Sequence, residues 1–503
     1  MKKIFNHRFV ALLLVFSVAC DADFDDLNTN KTSPTAIDPA FQMNTAIINT
    51  SLQALIFEIG IVQQIISPNS GVLTGANYNQ DNRATTDDNW QGYYRNVIKV
   101  TRDIMAITEE LPDRANLRNM ARILQAHAFM VLTDSYGDIP YSEGGLGYNE
   151  QINFPVYESQ EAIYPMIIQE LTEATGALDA GGKIETAEIL YNGDIAKWKK
   201  FGYSLLLRAG MRLSKANETL AASTVSAAFQ GGVMATNADN AMMKHDQNYQ
   251  NPIGGTLNST EAANFYLTKP FVDYLKSTND PRLTAIAVRY VGAKSGPEQT
   301  TAIQSYDPAV QVGMPMGLDN PGAVKAAADL GLASFYDFSQ ADRRRLTKLS
   351  AQYFFVTAAQ THLLLAEARE RGWITTGTVE QYYNAGVVAH MEQLGTVDPL
   401  SAVPAASVSA YLSANPFDPA NALAQINTQY WVASFLNGPE AFANFRRSGF
   451  PALAPNPFPG REVTFISRLT YPNSEISVNT ANVNAAIANM GPDKLDTKVW
   501  WDK

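Results

Sequence analysis

Apolar residues recur at alternating steps of four and three along much of this chain. Leu117, Ala121, Leu124, Ala128 and Val131 follow that rhythm, and Ile163, Ile167, Leu171, Ala174 and Leu178 nearly repeat it. Each set predicts an amphipathic helix with one buried stripe. Asn192-Gly193-Asp194 supplies a turn and an N-cap before Trp198, Phe201, Leu205, Ala209 and Leu213, which again share a face. Further helices are expected over residues 351–372, carrying Phe355, Ala359, Leu363, Ala366 and Ala368, and over 379–394. A last one is expected over 426–445, interrupted at Asn437-Gly438-Pro439. Between residues 237 and 347 the periodicity fades and Gly, Pro, Asn and Tyr crowd in. A stretch of that length inside a helical protein is expected to form short helices, hairpins and ordered excursions rather than one loop. Beyond Pro451 the tail is rich in Pro and Asn and is expected to wrap the surface. The pattern predicts a mainly all-α fold in which irregular segments lie over a helical scaffold.

The first residues follow a different pattern. Lys2, Lys3 and Arg8 precede an apolar run over residues 9–19, the arrangement of a secretory signal peptide. The run is too short to span a bilayer, which takes about 20 apolar residues. Ser17-Val18-Ala19-Cys20 resembles a bacterial lipobox, with Ser17 where leucine is commoner. In such a signal the cysteine becomes the first mature residue and is acylated, so Cys20 is the expected lipid anchor. Residues 20–40, with Asp21, Asp23, Asp25 and Asp26, read as an acidic, polar tether, and residues 41–503 as one helical domain. Loss of residues 1–19 moves the formal net charge from −11 to −14, which disfavours nucleic acid as a partner. Cys20 is the single cysteine, so disulfides and a thiolate nucleophile are excluded from the rest of the chain.

Motifs for catalysis are missing. His7, His127, His245, His362 and His390 are scattered, and neither a Gly-x-Ser-x-Gly elbow nor a phosphate-binding loop occurs. Among 49 acidic residues a glycosidase pair is conceivable, so a surface glycoside hydrolase stands as one alternative. Sugar binding needs an aromatic plane for the C–H face of a ring, and amides or guanidiniums for its hydroxyls. Tyr78, Asn79, Gln80, Asp81, Asn82 and Arg83 concentrate those types in one loop, with Trp90 close behind. Tyr78 is expected to be exposed; Trp90, with Tyr93 and Tyr94 at helical spacing, fits a core position better than a sugar platform. Tyr266, Tyr336 and Phe338, in the irregular middle, are further ligand-binding candidates. Arg208 and Arg212 read as structural cations between helices, and Asp280-Pro281-Arg282 as a turn with an ion pair. Residues 79–89 lack the glycine and terminal glutamate of an EF-hand, so no metal site is expected, and no cofactor motif is present.

Several stretches, taken in order, resemble the SusD/RagB family of Bacteroidetes surface lipoproteins, and its SusD-like branch in particular. They include Tyr136-Gly137-Asp138-Ile139-Pro140-Tyr141 and the set Asp194, Trp198, Phe201, Arg208 and Arg212. Asn279-Asp280-Pro281-Arg282-Leu283 and Gly313-Met314-Pro315-Met316-Gly317 come next, followed by Leu365-Ala366-Glu367-Ala368 and Gln429-Tyr430-Trp431. Arg446-Arg447, Arg468-Leu469-Thr470-Tyr471-Pro472 and Trp500-Trp501 complete the series. The resemblance implies four tetratricopeptide-like helical pairs, with the irregular segments facing the ligand. It also implies an outer-membrane protein, lipid-anchored and facing the exterior, that binds an oligosaccharide without transforming it. A SusC-like TonB-dependent transporter is the implied partner, the acidic residues after Cys20 look like an export signal, and some members take peptide instead of glycan.

Overall fold

The computed structural model describes residues 37–502 except 53–54, 70 and 260–261. Cys20, the expected signal peptide and most of the expected tether therefore lie outside the described residues. Helix α1 (Pro39–Ile48) takes in the last two residues of the expected tether, because Asp38 caps it through Ala40 N at 2.8 Å and Pro39 occupies its first turn. Residues Arg83–Tyr93, a π-turn at Tyr94–Ile98 and α2 (Lys99–Glu109) form one continuous helical run.

The scaffold is four helical pairs: α3 (Ala115–Tyr136) with α4 (Gln160–Gly176), α5 (Ile195–Arg212) with α6 (Glu218–Gly231), α7 (Ala358–Glu370) with α8 (Val379–Val397), and α9 (Ala422–Ala433) with α10 (Gly438–Ser448). Contacts of α4 with α5, α5 with α7 and α7 with α9 join the pairs around one large apolar core. Asp194 caps α5 through Lys197 N at 3.1 Å, and Asn437-Gly438-Pro439 divides α9 from α10, both as the sequence predicts.

Arginines tie the helices together from within. Arg212 on α5 reaches Asp134 on α3 at 3.0 Å and Glu440 on α10 at 2.6 Å, and Arg208 reaches the same Glu440 at 3.1 Å. Arg447 meets both oxygens of Glu367 at 2.7 Å and also bonds Asn427 and Asn444. Arg282 pairs with Asp280 with both side chains fully buried. Removing one partner of such a pair leaves an uncompensated charge and costs about 3–5 kcal/mol.

One expected helix starts late. Tyr353–Val356 is a strand, antiparallel to Ala241–Met243, and α7 begins only at Ala358. The aromatic and β-branched run favours a strand. Thr357 and Gln360 then form a reciprocal capping box that fixes the helix start.

The middle segment is ordered, as expected, in short pieces. Ile65–Ile66 pairs with Tyr266–Leu267, and Ala287–Tyr290 is the centre of a three-stranded antiparallel sheet with Gln304–Ser305 and Gln340–Ala341. Two satellite cores support it, one around Tyr266, Met314, Phe335 and Phe338, the other around Val288 and Tyr290. Among the described residues no helix is long and apolar enough to cross a membrane.

Candidate functional site

The turn after helix Gly71–Tyr78 is held by amides. Asn77 donates to the carbonyl of Leu318 at 3.0 Å and accepts from Gly317 N at 3.0 Å, while Asn456 donates to the carbonyl of Asn77 at 2.7 Å. Asn79 adopts a left-handed backbone (φ 49°), which asparagine tolerates, and donates to the carbonyls of Thr464 at 2.9 Å and Val463 at 3.3 Å. Gln80 donates to Gly460 O at 2.9 Å. Three distant segments, 77–81, 317–318 and 454–464, are thereby fastened into one face.

Tyr78 is not exposed as expected. It is 8% exposed, its hydroxyl donates to the carbonyls of Pro68 (3.1 Å) and Leu318 (3.3 Å), and burial, then the charge of Asp319, raises its pKa. Its ring is covered by Phe458, stacked at 4.3 Å and 26°. Phe458 keeps part of its ring in solvent, and Gln80 and the exposed Arg461 lie on the same turns. Exposed Asn69, next in the chain to the Pro68 carbonyl that Tyr78 bonds, donates to Asn264 Oδ1 at 3.2 Å. The face thus offers a supported aromatic ring with the Gln80 amide beside it, the kinds of group a sugar ring needs.

The other candidates divide. Asn79 is buried and spends its amide on the backbone, so it braces the face from beneath. Arg83 is committed to Asp81 (2.9 Å), Asp493 (2.8 Å) and the carbonyl of Tyr471 (2.9 Å), which leaves no free fork for a ligand. Trp90 is a core residue, as its spacing indicates, packed edge-on against Tyr136 at 5.1 Å and stacked on Tyr157 at 6.0 Å. Tyr266 and Phe338, expected near ligand, are fully buried 6.2 Å apart in the satellite core, because strand pairing turns Tyr266 inward. Tyr336 alone of that group keeps a partly exposed ring, stacked on Phe335 at 4.2 Å. A Cβ placed on Gly296 would come within 2.9 Å of Ala263 and 3.8 Å of the Tyr336 ring, so Tyr336 borders the Asn264 turn.

Phe458 was missed by sequence reasoning. The available signal was Pro457-Phe458-Pro459, an aromatic residue outside any apolar period and fixed between prolines. The histidines do not converge here. Burial holds His127, packed near Phe201 and Phe355, at about 3 and His390 well below its ordinary value, so both are neutral core groups. Among the described residues no three His, Cys, Asp or Glu side chains lie together as a metal set. A narrow hollow lined by Phe354, Phe435 and Leu394 has about 50 Å³, room for water but not a sugar.

Comparison with known proteins agrees with this architecture. The SusD-like family model, described as starch-binding and associating with the outer membrane, matches residues 27–472. A solved chitin-binding protein is 30% identical with a TM-score of 0.80, covering 92% of this chain and 100% of its own. A Bacteroidetes SusD-like protein shares 24% identity and a TM-score of 0.81 over 93% of this chain and 100% of its own. A chitin-binding SusD homologue from Flavobacterium johnsoniae shares 23% identity and a TM-score of 0.75 over 92% of this chain and 98% of its own. No curated protein matches the chain.

Proposed function

Because this chain belongs to the SusD-like family, we propose that it is a cell-surface lipoprotein that captures an oligosaccharide without transforming it and passes it to a TonB-dependent transporter. Cys20 is the anchor in this reading, and the face centred on Phe458 is the capture site. The observation that carries the site is the Phe458 ring, partly exposed and supported from below by Tyr78 at 4.3 Å. A ring backed in this way is already desolvated on one side and fixed in orientation, so stacking a sugar on its other side costs little conformational entropy. Gln80, which flanks Gly460 together with the ring, supplies an amide beside it, and Arg461 is an exposed cation three residues along the chain. Oligomers of N-acetylglucosamine are the first ligands to test, because the 30%-identical relative is a chitin-binding protein.

Isothermal titration with chito- and malto-oligosaccharides is expected to show binding to at least one. Phe458→Ala is expected to weaken it by about 1–3 kcal/mol, by analogy with other aromatic stacking sites. Binding to peptides but to no glycan would overturn the ligand class, and new reducing ends on incubation would overturn the non-enzymatic reading.

A further inference from the structure

The π-turn and helix α2 carry Arg95, Lys99 and Arg102 at steps of four and three, which places them along one side of the helical run. Arg95 and Lys99 are exposed, and neither forms an ion pair among the described residues. Arg102 has no carboxylate partner either: its guanidinium donates to the carbonyls of Tyr141 (2.8 Å), Ser142 (3.1 Å) and Gly144 (3.2 Å). In a chain of net charge −11 three neighbouring cations with no carboxylate in direct contact are out of character. Charges beyond about 8 Å are largely screened at physiological salt, so this row and the acids beside it set the local potential whatever the total.

Pinning by Arg102 fixes the start of the loop that presents Tyr148. That ring is 72% exposed, and Lys99 Nζ lies 5.8 Å from its centroid. Tyr148 borders a hollow of about 350 Å³ whose walls include Gln42, Arg95, Lys99 and Asn149. One carboxylate stands in that wall, Asp103, which accepts from Gln42 Nε2 at 2.8 Å, so Arg95 and Lys99 leave the wall with one positive charge in excess. A separate cleft of about 620 Å³ is lined by Arg102, Arg118 and Arg122. Arg122 there is neutralised by Glu170 and Glu173, and Arg118 pairs with Glu109, so the uncompensated charge is at the Tyr148 end. A neutral sugar would have no use for unpaired cations, whereas a carboxylate or sulfate ester would complete them.

We infer that the hollow at Tyr148 is a second saccharide site, one that takes an acidic oligosaccharide: a sugar ring stacks on Tyr148 and its uronate or sulfate groups meet Arg95 and Lys99. It shares no residue with the Phe458 face, so the two sites stand or fall separately.

The test is titration of the full chain with oligogalacturonate and a sulfated oligosaccharide, with uncharged chitohexaose alongside, at low and high salt. An acidic oligomer is expected to bind and to weaken as salt rises. Tyr148→Ala, and separately Arg95→Gln with Lys99→Gln, are each expected to weaken it about tenfold or more. Phe458→Ala is expected to leave it unchanged. These side chains are at the surface, so the variants retain the fold, and circular dichroism checks that. Absence of binding by both acidic oligomers, binding that survives both sets of substitutions, or binding lost with Phe458→Ala would each overturn the assignment.

Discussion

Two buried glutamates respond to pH in opposite directions. Glu58, fully buried on the helix Ile56–Ile61, accepts from Ser135 Oγ at 2.7 Å and from Asn89 Nδ2 at 3.4 Å. Burial pushes its pKa up to about 7 from an ordinary 4.5, against the pull of Ser135, Arg446 and Asn89. Between those values the folded protein holds a proton that the unfolded chain has lost. Stability therefore falls as pH rises through this window, by about 3 kcal/mol at most. Glu367 is also buried, but Arg447 and Arg371 outweigh burial and hold it at about 2. Its contribution is present above about 4.5 and is lost as pH falls towards 2. In thermal unfolding, Glu58→Gln is expected to gain on the parent protein as pH goes from 5 to 8. Glu367→Gln is expected to be strongly destabilised at pH 7, with the deficit shrinking towards pH 2. A Glu58→Gln offset independent of pH would show that this carboxyl titrates normally.

At the level of elements, close approach and capping are the sensitive points. Gly438 opens α10 where it meets the Ile56–Ile61 helix, and a Cβ there would lie 2.3 Å from Leu55 O and 2.9 Å from Ile59 N. Neither backbone atom can yield without moving a helix. Gly438→Ala is expected to cost about 1–3 kcal/mol in denaturant titration, as overpacking does. Thr357→Ala, which removes one half of a capping box, should cost about 1 kcal/mol by the same measurement. The helices could be read from the sequence because their apolar period is local, and Asp194 and Asn437 announced their caps within a few residues. The strand Tyr353–Val356 could not, since its partner Ala241–Met243 lies more than a hundred positions earlier and supplies the pairing that wins over helix. Burial of Tyr78 was hidden for the same reason. The ring that covers it, Phe458, belongs to a tail without periodicity, and the amide of Asn79, a sugar-ligand candidate in the sequence, is spent on backbone carbonyls of that same tail. What sequence conveyed about the site was its composition and its neighbourhood; which side chains face solvent depends on contacts hundreds of residues apart.

For the whole molecule, the question is whether anchoring and ligand capture are separable. Residues 20–37 can span at most about 60 Å when fully extended, so an acyl group on Cys20 would confine the domain near the membrane without dictating its internal packing. The folded domain has its own first fastening. Asp38 caps α1 and pairs with Arg114 at 2.7 Å, and Arg114 in turn pairs with Glu185 at 2.8 Å, so the scaffold is closed from residue 38 onward. The Phe458 face is built from segments 77–81, 317–318 and 454–464, none of which is near Cys20 in sequence. Stable membrane attachment by acylation takes more than one chain, and no described helix offers an alternative span. Cys20→Ala is therefore expected to move the protein out of the membrane fraction on cell fractionation. Its circular dichroism, melting temperature and oligosaccharide affinity should stay unchanged. If the variant remained with membranes, attachment would have to come from the protein's own surface or from its partner; if it lost affinity, the anchor would be part of the capture site, and the separation argued from Asp38 and Arg114 would be wrong.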